Sequence, residues 1–476
     1  MVDILLVNPA EPGHFFERMP PLGLAYIGSS LENKGFSVKI IDFEVCDQKL
    51  TNFLHEYRPV VVGISGTTHT RFASFELARQ VKQYNSDIIT VYGGVHATFT
   101  AVETLKNIKE IDYVITGEGE IAMTEFFKNL NDTRELDNVA GLVFRSGDRI
   151  IANPAQRIDE LDSLPMPAYH LLPMDKYAVE LPFINKKAIS LLTSRGCTAR
   201  CVFCSASRMF DHRVTRHSSK RVIEEVEILL GQYAFEGIKI FDSTLTIETD
   251  HINGICDEIF ERKLKFPWEC EIRVGTVDRN ILAKMKDAGC YYVNFGIESA
   301  SQRILNRMRK GFKVEQAEEL LRTCRSVGLK TKVFFSFGHI GETMEEVDST
   351  FRFIDRNREL INIVASGAGV RIYPGTELEG IARKEGFLPA GFEWSKPFNE
   401  PRYENILQSP NNPLLIQPNM GLNELEDIAL SIYQQRFSGL SGLKRGLKKI
   451  TDPGKWRKLF KLAKVKLRKR FSNKEN

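Results

Sequence analysis

Cysteine is scarce in this chain, with eight residues in 476. No basic, apolar leader with a cleavage site opens the sequence, and Met-Val-Asp-Ile-Leu-Leu-Val reads as a strand instead. Together these features exclude a disulfide-stapled secreted scaffold and place the expected compartment in the reducing cytoplasm. Long hydrophobic runs are missing too, since none approaches the roughly 20 residues that a helix needs to cross a bilayer. Hydrophobic residues make up 42% and charged residues 26%, which is ordinary for globular protein, and the length allows two or three domains.

The cysteines that are present are not evenly spread. Cys197, Cys201 and Cys204 fall in Ser194-Arg-Gly-Cys-Thr-Ala-Arg-Cys-Val-Phe-Cys-Ser205, a C-x3-C-x2-C pattern fed by an apolar strand at 188–192. Three thiolates in one short loop can face one point, which suits a metal better than a disulfide. Two kinds of site fit. With His212 or His217 the cysteines would close a tetrahedral Cys3His zinc site. Alone, they would hold three corners of an iron–sulfur cube and leave one iron open to another ligand. Zinc modules pair C-x2-C knuckles at a distance, and the chain has no second pair. Cys256, Cys270, Cys290 and Cys324 stand singly and read as small core residues.

Around this loop, short apolar strands alternate with helical patterns. Strands at 4–7, 37–41, 60–64, 88–92 and 113–116 and helices at 22–34, 72–84 and 120–130 predict an α/β, doubly wound, flavodoxin/Rossmann-like domain over 1–135. Ligands in such folds lie beyond the carboxyl ends of the strands, where Asn8, Ser65, Gly93, Gly94 and Gly117 cluster. A hairpin turning at Ser146-Gly-Asp148 and a proline-marked stretch make a connector over 136–186. From 187 to 400, strands at 188–192, 237–241, 268–273, 291–295, 332–336 and 363–371 alternate with helices, which predicts a partial (β/α)6 TIM-like barrel. A helical extension occupies 401–476.

The cysteine loop, with Phe203 just before its last cysteine, resembles the radical S-adenosylmethionine (radical SAM) superfamily. So do five strand-end segments taken in order: Asp242-Ser-Thr, the run ending at Arg273, Phe295-Gly-Ile-Glu-Ser299, Gly338-His-Ile-Gly-Glu342 and Arg371-Ile-Tyr-Pro374. The resemblance implies a [4Fe-4S] cluster on the three cysteines, with SAM on its open iron. It assigns Arg273 to the SAM carboxylate and Glu298 or Ser299 to the ribose or amino side, and places Asp242 nearest the substrate. From the charges alone, Arg273 and Glu298 could instead pair across adjacent strands, and Asp242 could cap a helix.

The N-terminal domain resembles the cobalamin-binding domain that precedes many radical SAM cores. That resemblance places Asn8, Ser65, Gly93, Gly94 and Gly117 around the corrinoid. The Asp-x-His-x-x-Gly motif that supplies a cobalt-ligating histidine is absent, and His69 and His96 read as loop histidines. The implied activity is that of a cobalamin-dependent radical SAM enzyme methylating an unactivated carbon, with electrons from a flavodoxin- or ferredoxin-type donor. Oxidative cyclisation or rearrangement is the alternative outcome. An RNA-modifying methylthiotransferase would need further cluster cysteines in the first domain, where only Cys46 stands. A zinc-dependent binding protein would explain the cysteines but not the five strand ends.

Charge is divided unequally. Residues 440–476 hold 14 Lys/Arg against two acids, which leaves 51 basic against 59 acidic residues elsewhere. On a helix, Trp456, Leu459, Phe460, Ala463, Leu467 and Phe471 share one face of this tail. The pattern predicts peripheral contact with an anionic membrane and favours a lipid-like or other small-molecule substrate over nucleic acid.

Overall fold

The computed structural model describes residues 2–10, 18–130, 132, 134–397 and 412–437, so the basic tail at 440–476 lies outside the described residues. The chain begins with strand–helix repeats: β1 (Ile4–Asn8), α1 (Leu22–Glu32), β2 (Val38–Asp42), α2 (Leu50–Tyr57), β3 (Val61–Ser65), α3 (Arg71–Tyr84), β4 (Ile89–Gly93), α4 (Val95–Asn107), β5 (Tyr113–Ile115) and α5 (Gly119–Lys128). The strands are parallel in the order β2-β1-β3-β4-β5. Both faces are buried because successive residues feed different cores. Ile4 and Leu6 pack with Leu22, Ala25 and Met123 on one side, and Leu5 and Val7 with Leu54, Phe75 and Ala97 on the other.

The connector hairpin, β6 (Leu142–Ser146) and β7 (Arg149–Ala152), adds two antiparallel strands to the edge of this sheet through Val114↔Val143. Sequence reading placed it between the domains. Val143 is buried in the first core, which explains why the hairpin stays there. The prolines that follow carry the chain across α1, where the Ala168 N–H donates to the Ala25 carbonyl at 3.0 Å.

The second sheet uses β8 (Val179–Leu181), β9 (Lys186–Leu191), β12 (Gly237–Ile240), β13 (Trp268–Glu271), β14 (Cys290–Glu298), β15 (Lys330–Phe337) and β16 (Ile363–Ala368). Between β9 and β12 come a two-stranded hairpin, β10 (Ser194–Gly196) and β11 (Val214–Arg216), the short α6 (Ala206–Met209) and α7 (Ser219–Gly231). Helices α8 (Thr249–Glu261), α9 (Arg279–Asp287), α10 (Gln302–Met308), α11 (Val314–Ser326) and α12 (Met344–Arg356) fall between the later strands. α13 (Glu377–Lys384) and α14 (Leu422–Phe437) follow them. Six parallel strands run β9-β12-β13-β14-β15-β16, the expected open half-barrel, and β8 caps one edge antiparallel. Among the described residues, no helix is long and apolar enough to cross a membrane.

Candidate active site

The cysteine loop leaves β10 at the carboxyl ends of the barrel strands. Gly196 makes the exit possible. Its φ is +95°, and a Cβ there would fall 2.0 Å from the Arg213 carbonyl oxygen on the facing strand. The loop is fastened on both sides: the Val202 N–H donates to Met308 O at 3.2 Å, and its carbonyl accepts from Leu378 N at 2.9 Å. Cys197 is buried, and Cys201 and Cys204 are partly so. Burial raises the Cys204 thiol, and the neighbouring Cys201 and Cys197 raise it further, so the three feel one another.

Among the described residues, no group of three His, Cys, Asp or Glu is gathered tightly enough to share one ion. A single zinc would need all its sulfurs about 2.3 Å away, whereas a cube takes each thiolate on a different iron. Of the two histidines proposed for zinc, His217 is engaged at both ring nitrogens, by Tyr26 Oη at 3.2 Å and Asp162 Oδ1 at 3.0 Å, while His212 Nδ1 lies 3.3 Å from Ala199 O of the cysteine loop itself. The donor set fits an iron–sulfur cluster, and the cations around it suit thiolates: Arg273 Nη1 stands 3.8 Å from Cys201 Sγ.

The other expected SAM contacts divide. Arg273 does not pair with Glu298; its guanidinium turns to Cys201 and to the Lys310 carbonyl, at the mouth where a carboxylate is expected. Glu298, at φ +70° on an irregular stretch of β14, meets Lys310 Nζ at 3.4 Å and Ser336 Oγ at 2.7 Å. Phe203 packs 5.5 Å from the ring of His339, which burial drops to about 4 and so keeps neutral.

Asp242 and Ser299 both bond to their own surroundings, and Asp242 caps no helix among the described residues. Asp242 belongs to the support of the cysteine loop. It is 1% exposed, and its oxygens accept from Thr193 N (2.7 Å), Thr193 Oγ1 (2.6 Å) and Ser194 Oγ (2.6 Å), anchoring the strand that enters the cysteine loop. Ser299 is fully buried beside Thr350, 3.4 Å away, so its hydroxyl supports the loop from behind.

The loop after β15 rests on Glu342, whose carboxylate accepts from Gly338 N at 2.7 Å and His339 N at 3.1 Å. Burial raises Glu342 to about 7. A raised carboxyl stabilises the fold fully below its unfolded value and loses that contribution as pH climbs through the folded one. Wild type is therefore expected to lose stability relative to Glu342→Gln between about pH 5 and 8, by on the order of 2–3 kcal/mol. Parallel pH-stability curves for the two proteins would contradict this.

At the strand ends of the first domain lies a cavity of about 330 Å³. Asn8, Ser65, Gly93, Gly94 and Gly117 all line it, over an apolar floor of Leu6, Val91 and Met123. Asn8 is oriented by Asp42 Oδ1 at 2.8 Å. Gly94 has φ +100°, and a Cβ on it would meet Gly66 O at 2.7 Å, so two strand-end loops touch through bare backbone. Such a cradle fits a corrinoid tail. Gly94→Ala is expected to cost about 2 kcal/mol or more and to let cobalamin wash out on gel filtration, read by melting temperature and visible spectrum. His96, expected in a loop, instead lies in the first turn of α4, buried, with Nδ1 at 3.1 Å from Thr68 Oγ1. His69 Nε2 meets Tyr373 Oη at 3.0 Å.

The far wall of this cavity comes from the other domain: Leu192, Arg195, Met209 and Phe210. Sequence reading missed Arg195. It reaches Glu118 Oε1 and Glu120 Oε1, each at 2.6 Å, and stacks 5.2 Å from the Tyr26 ring. Burial opposes its charge, but the two glutamates more than compensate and hold it raised. The signal was present as a basic residue inside the cysteine motif and two acids inside Gly117-Glu-Gly-Glu120, although nothing in sequence paired them.

Comparison with known proteins agrees with this geometry. The B12 binding domain family matches residues 13–127 and the radical SAM superfamily residues 191–354. The uncharacterized methyltransferase PH0819 of Pyrococcus horikoshii is 36% identical over 364 residues, covering 75% of this chain and 77% of that one. Cytidylyl-2-hydroxyethylphosphonate methyltransferase of Streptomyces wedmorensis is 27% identical over 413 residues, covering 74% and 77%. The fold matches the cobalamin-dependent SAM radical enzyme OxsB, solved with aqua-cobalamin and SAM bound, at a TM-score of 0.74 and 18% identity over 96% of this chain and 70% of that one. The chain belongs to the radical SAM enzymes that carry an N-terminal B12-binding domain.

Proposed function

We propose that this enzyme transfers a methyl group to an unactivated carbon of a small-molecule substrate. One observation carries the reading: Leu192 and Arg195 just before the cysteine loop, and Met209 and Phe210 just after it, line the strand-end cavity of the first domain, which supports placing the two cofactors side by side. Methyltransferase names among the relatives support it. Bound, the cluster with SAM supplies a carbon-centred radical and the corrinoid a transferable methyl group. The chain's own residues provide placement. Cys197, Cys201 and Cys204 would hold the cluster, and Arg273, with Glu298 beside it, would orient SAM at the mouth. Asn8, Ser65, Gly93, Gly94 and Gly117 would seat the corrinoid, and Arg195 would fix its distance from the cysteine loop.

Anaerobic protein supplied with cobalamin, reductant and methyl-labelled SAM tests this. Label in the corrinoid together with 5′-deoxyadenosine is expected. Formation of 5′-deoxyadenosine with no label in the corrinoid would remove methyl transfer in favour of rearrangement. The electron donor is proposed to be of flavodoxin or ferredoxin type. The basic tail is proposed to touch anionic membrane: full-length protein should float with anionic vesicles and a chain ending at 439 should not, and equal flotation would discard the idea.

A further inference from the structure

Barrel interiors of this kind fill with branched apolar side chains, but the concave face here carries charge in two layers fixed by strand register. In the lower layer Lys239 and Glu269 are cross-strand partners with an ion pair of 3.3 Å. Below them the half-exposed Phe183 ring lies 5.9 Å from the Tyr292 ring and 4.1 Å from Lys330 Nζ. In the upper layer Glu271, Asn294 and Lys332 stand side by side on β13, β14 and β15.

The lower layer compensates itself, and the upper layer does not. Asn294 is 1% exposed. Its amide nitrogen reaches Cys270 O at 3.4 Å, and its Oδ1 has no partner. Neither Glu271 nor Lys332 makes a hydrogen bond or ion pair among the described residues; Lys332 Nζ rests 5.1 Å from the Phe334 ring. Burial pushes Glu271 up to about 7 even though Lys239 and Lys332 pull it down. An acceptor, a carboxyl and an ammonium thus line one shelf; Glu271 and Lys332 are half-buried, and the fully buried Asn294 Oδ1 is the costly one unless something fills it.

The shelf has a polarity. A carboxyl on β13 and an ammonium on β15 flank the unpartnered Asn294 Oδ1 on the strand between them, so it offers an acceptor side and a donor side to one small ligand. We infer that this shelf seats the zwitterionic end of an amino acid, its ammonium on Glu271 and Asn294 Oδ1 and its carboxylate on Lys332. Calling that amino acid the substrate rests on the methyl-transfer reading; the site itself does not. SAM also ends in an amino acid, but Arg273 and the cysteine loop place that end at the mouth, above this layer.

The test uses protein loaded with cluster, cobalamin and excess SAM, without reductant. The twenty L-amino acids, their N-acetyl forms and their amides are screened by saturation-transfer NMR. At least one free amino acid is expected to bind, with its acetylated and amidated forms about tenfold weaker. Lys332→Met and Glu271→Gln should each weaken binding about tenfold, with cluster and corrinoid spectra unchanged. The wild-type comparison of free and blocked forms decides the matter even if a variant fails to fold. Binding of no amino acid, equal binding of blocked forms, or displacement by added SAM overturns the proposal. Amino-acid binding without label in the corrinoid would leave the shelf standing and remove methyl transfer, and label without amino-acid binding would do the reverse.

Discussion

Cys201→Ala protein is expected to fold as wild type does and to cleave no SAM. The two halves of that expectation have separate causes. The loop keeps its shape through backbone, because Val202 is bonded to Met308 on one side and to Leu378 on the other, and Gly196 sets the turn before it. The Cys201 thiol is only partly buried and makes long contacts, 3.9 Å to Arg309 O and 3.8 Å from Arg273 Nη1. Losing it should therefore change stability by under about 1 kcal/mol, a melting shift of about 4 °C or less in the metal-free protein. Chemistry depends on the sulfur itself, since two thiolates cannot fix a cube with one vacant corner. Iron after anaerobic reconstitution should fall from about four per chain to below about one, and 5′-deoxyadenosine should become undetectable. Wild-type levels of both would remove the cluster assignment; a collapsed melting temperature would show that the thiol is structural.

What sequence revealed and what it hid follow from the range of the interactions. The parallel strands of both sheets were legible because their apolar runs are local and continuous, and so was the three-cysteine loop, a motif of eight residues; the short antiparallel β8 was not. Helices α2 and α4 were not. α4 opens on Gly94 and carries His96, Thr100 and Thr104 inward, where Thr100 Oγ1 donates to His96 O at 2.8 Å, so polar residues occupy a face that periodicity expects to be apolar. The bonding of Asp242 and Ser299 was hidden because a carboxylate or hydroxyl at a strand end reads the same whether it points to a ligand or to its own loop. Only the bonds to Thr193, Ser194 and Thr350 separate the cases. The charged shelf of Glu271, Asn294 and Lys332 was invisible for a related reason. Each residue lies in a different strand, and only register puts them in one row.

Arg195→Met is expected to destabilise the protein by about 3–5 kcal/mol, because it leaves two buried carboxylates facing each other without their cation. Side chains of Glu118 and Glu120 are only 4% and 5% exposed, so water cannot take over from the guanidinium. Glu118 has a second duty, accepting from Ile158 N at 2.9 Å, so the same rupture loosens the connector. Arg195→Lys should recover only part of the loss, since one ammonium cannot fork to two carboxylates as a guanidinium does. Lowering the pH should shrink the deficit of Arg195→Met by protonating the stranded acids. The triple change Arg195→Met, Glu118→Gln, Glu120→Gln should restore most of the melting temperature by removing the charges altogether. Function should not return with it. Arg195 sits two residues before Cys197 and its partners line the strand-end cavity, so this ion pair is expected to set the distance between the two proposed cofactor sites. A displacement of about 1 Å there costs on the order of 10²-fold in transfer. In the stable triple variant the yield of methylated product per 5′-deoxyadenosine should drop by about that factor, with SAM cleavage itself retained. An unchanged ratio would mean that Arg195 holds the domains together without setting the distance across which they react.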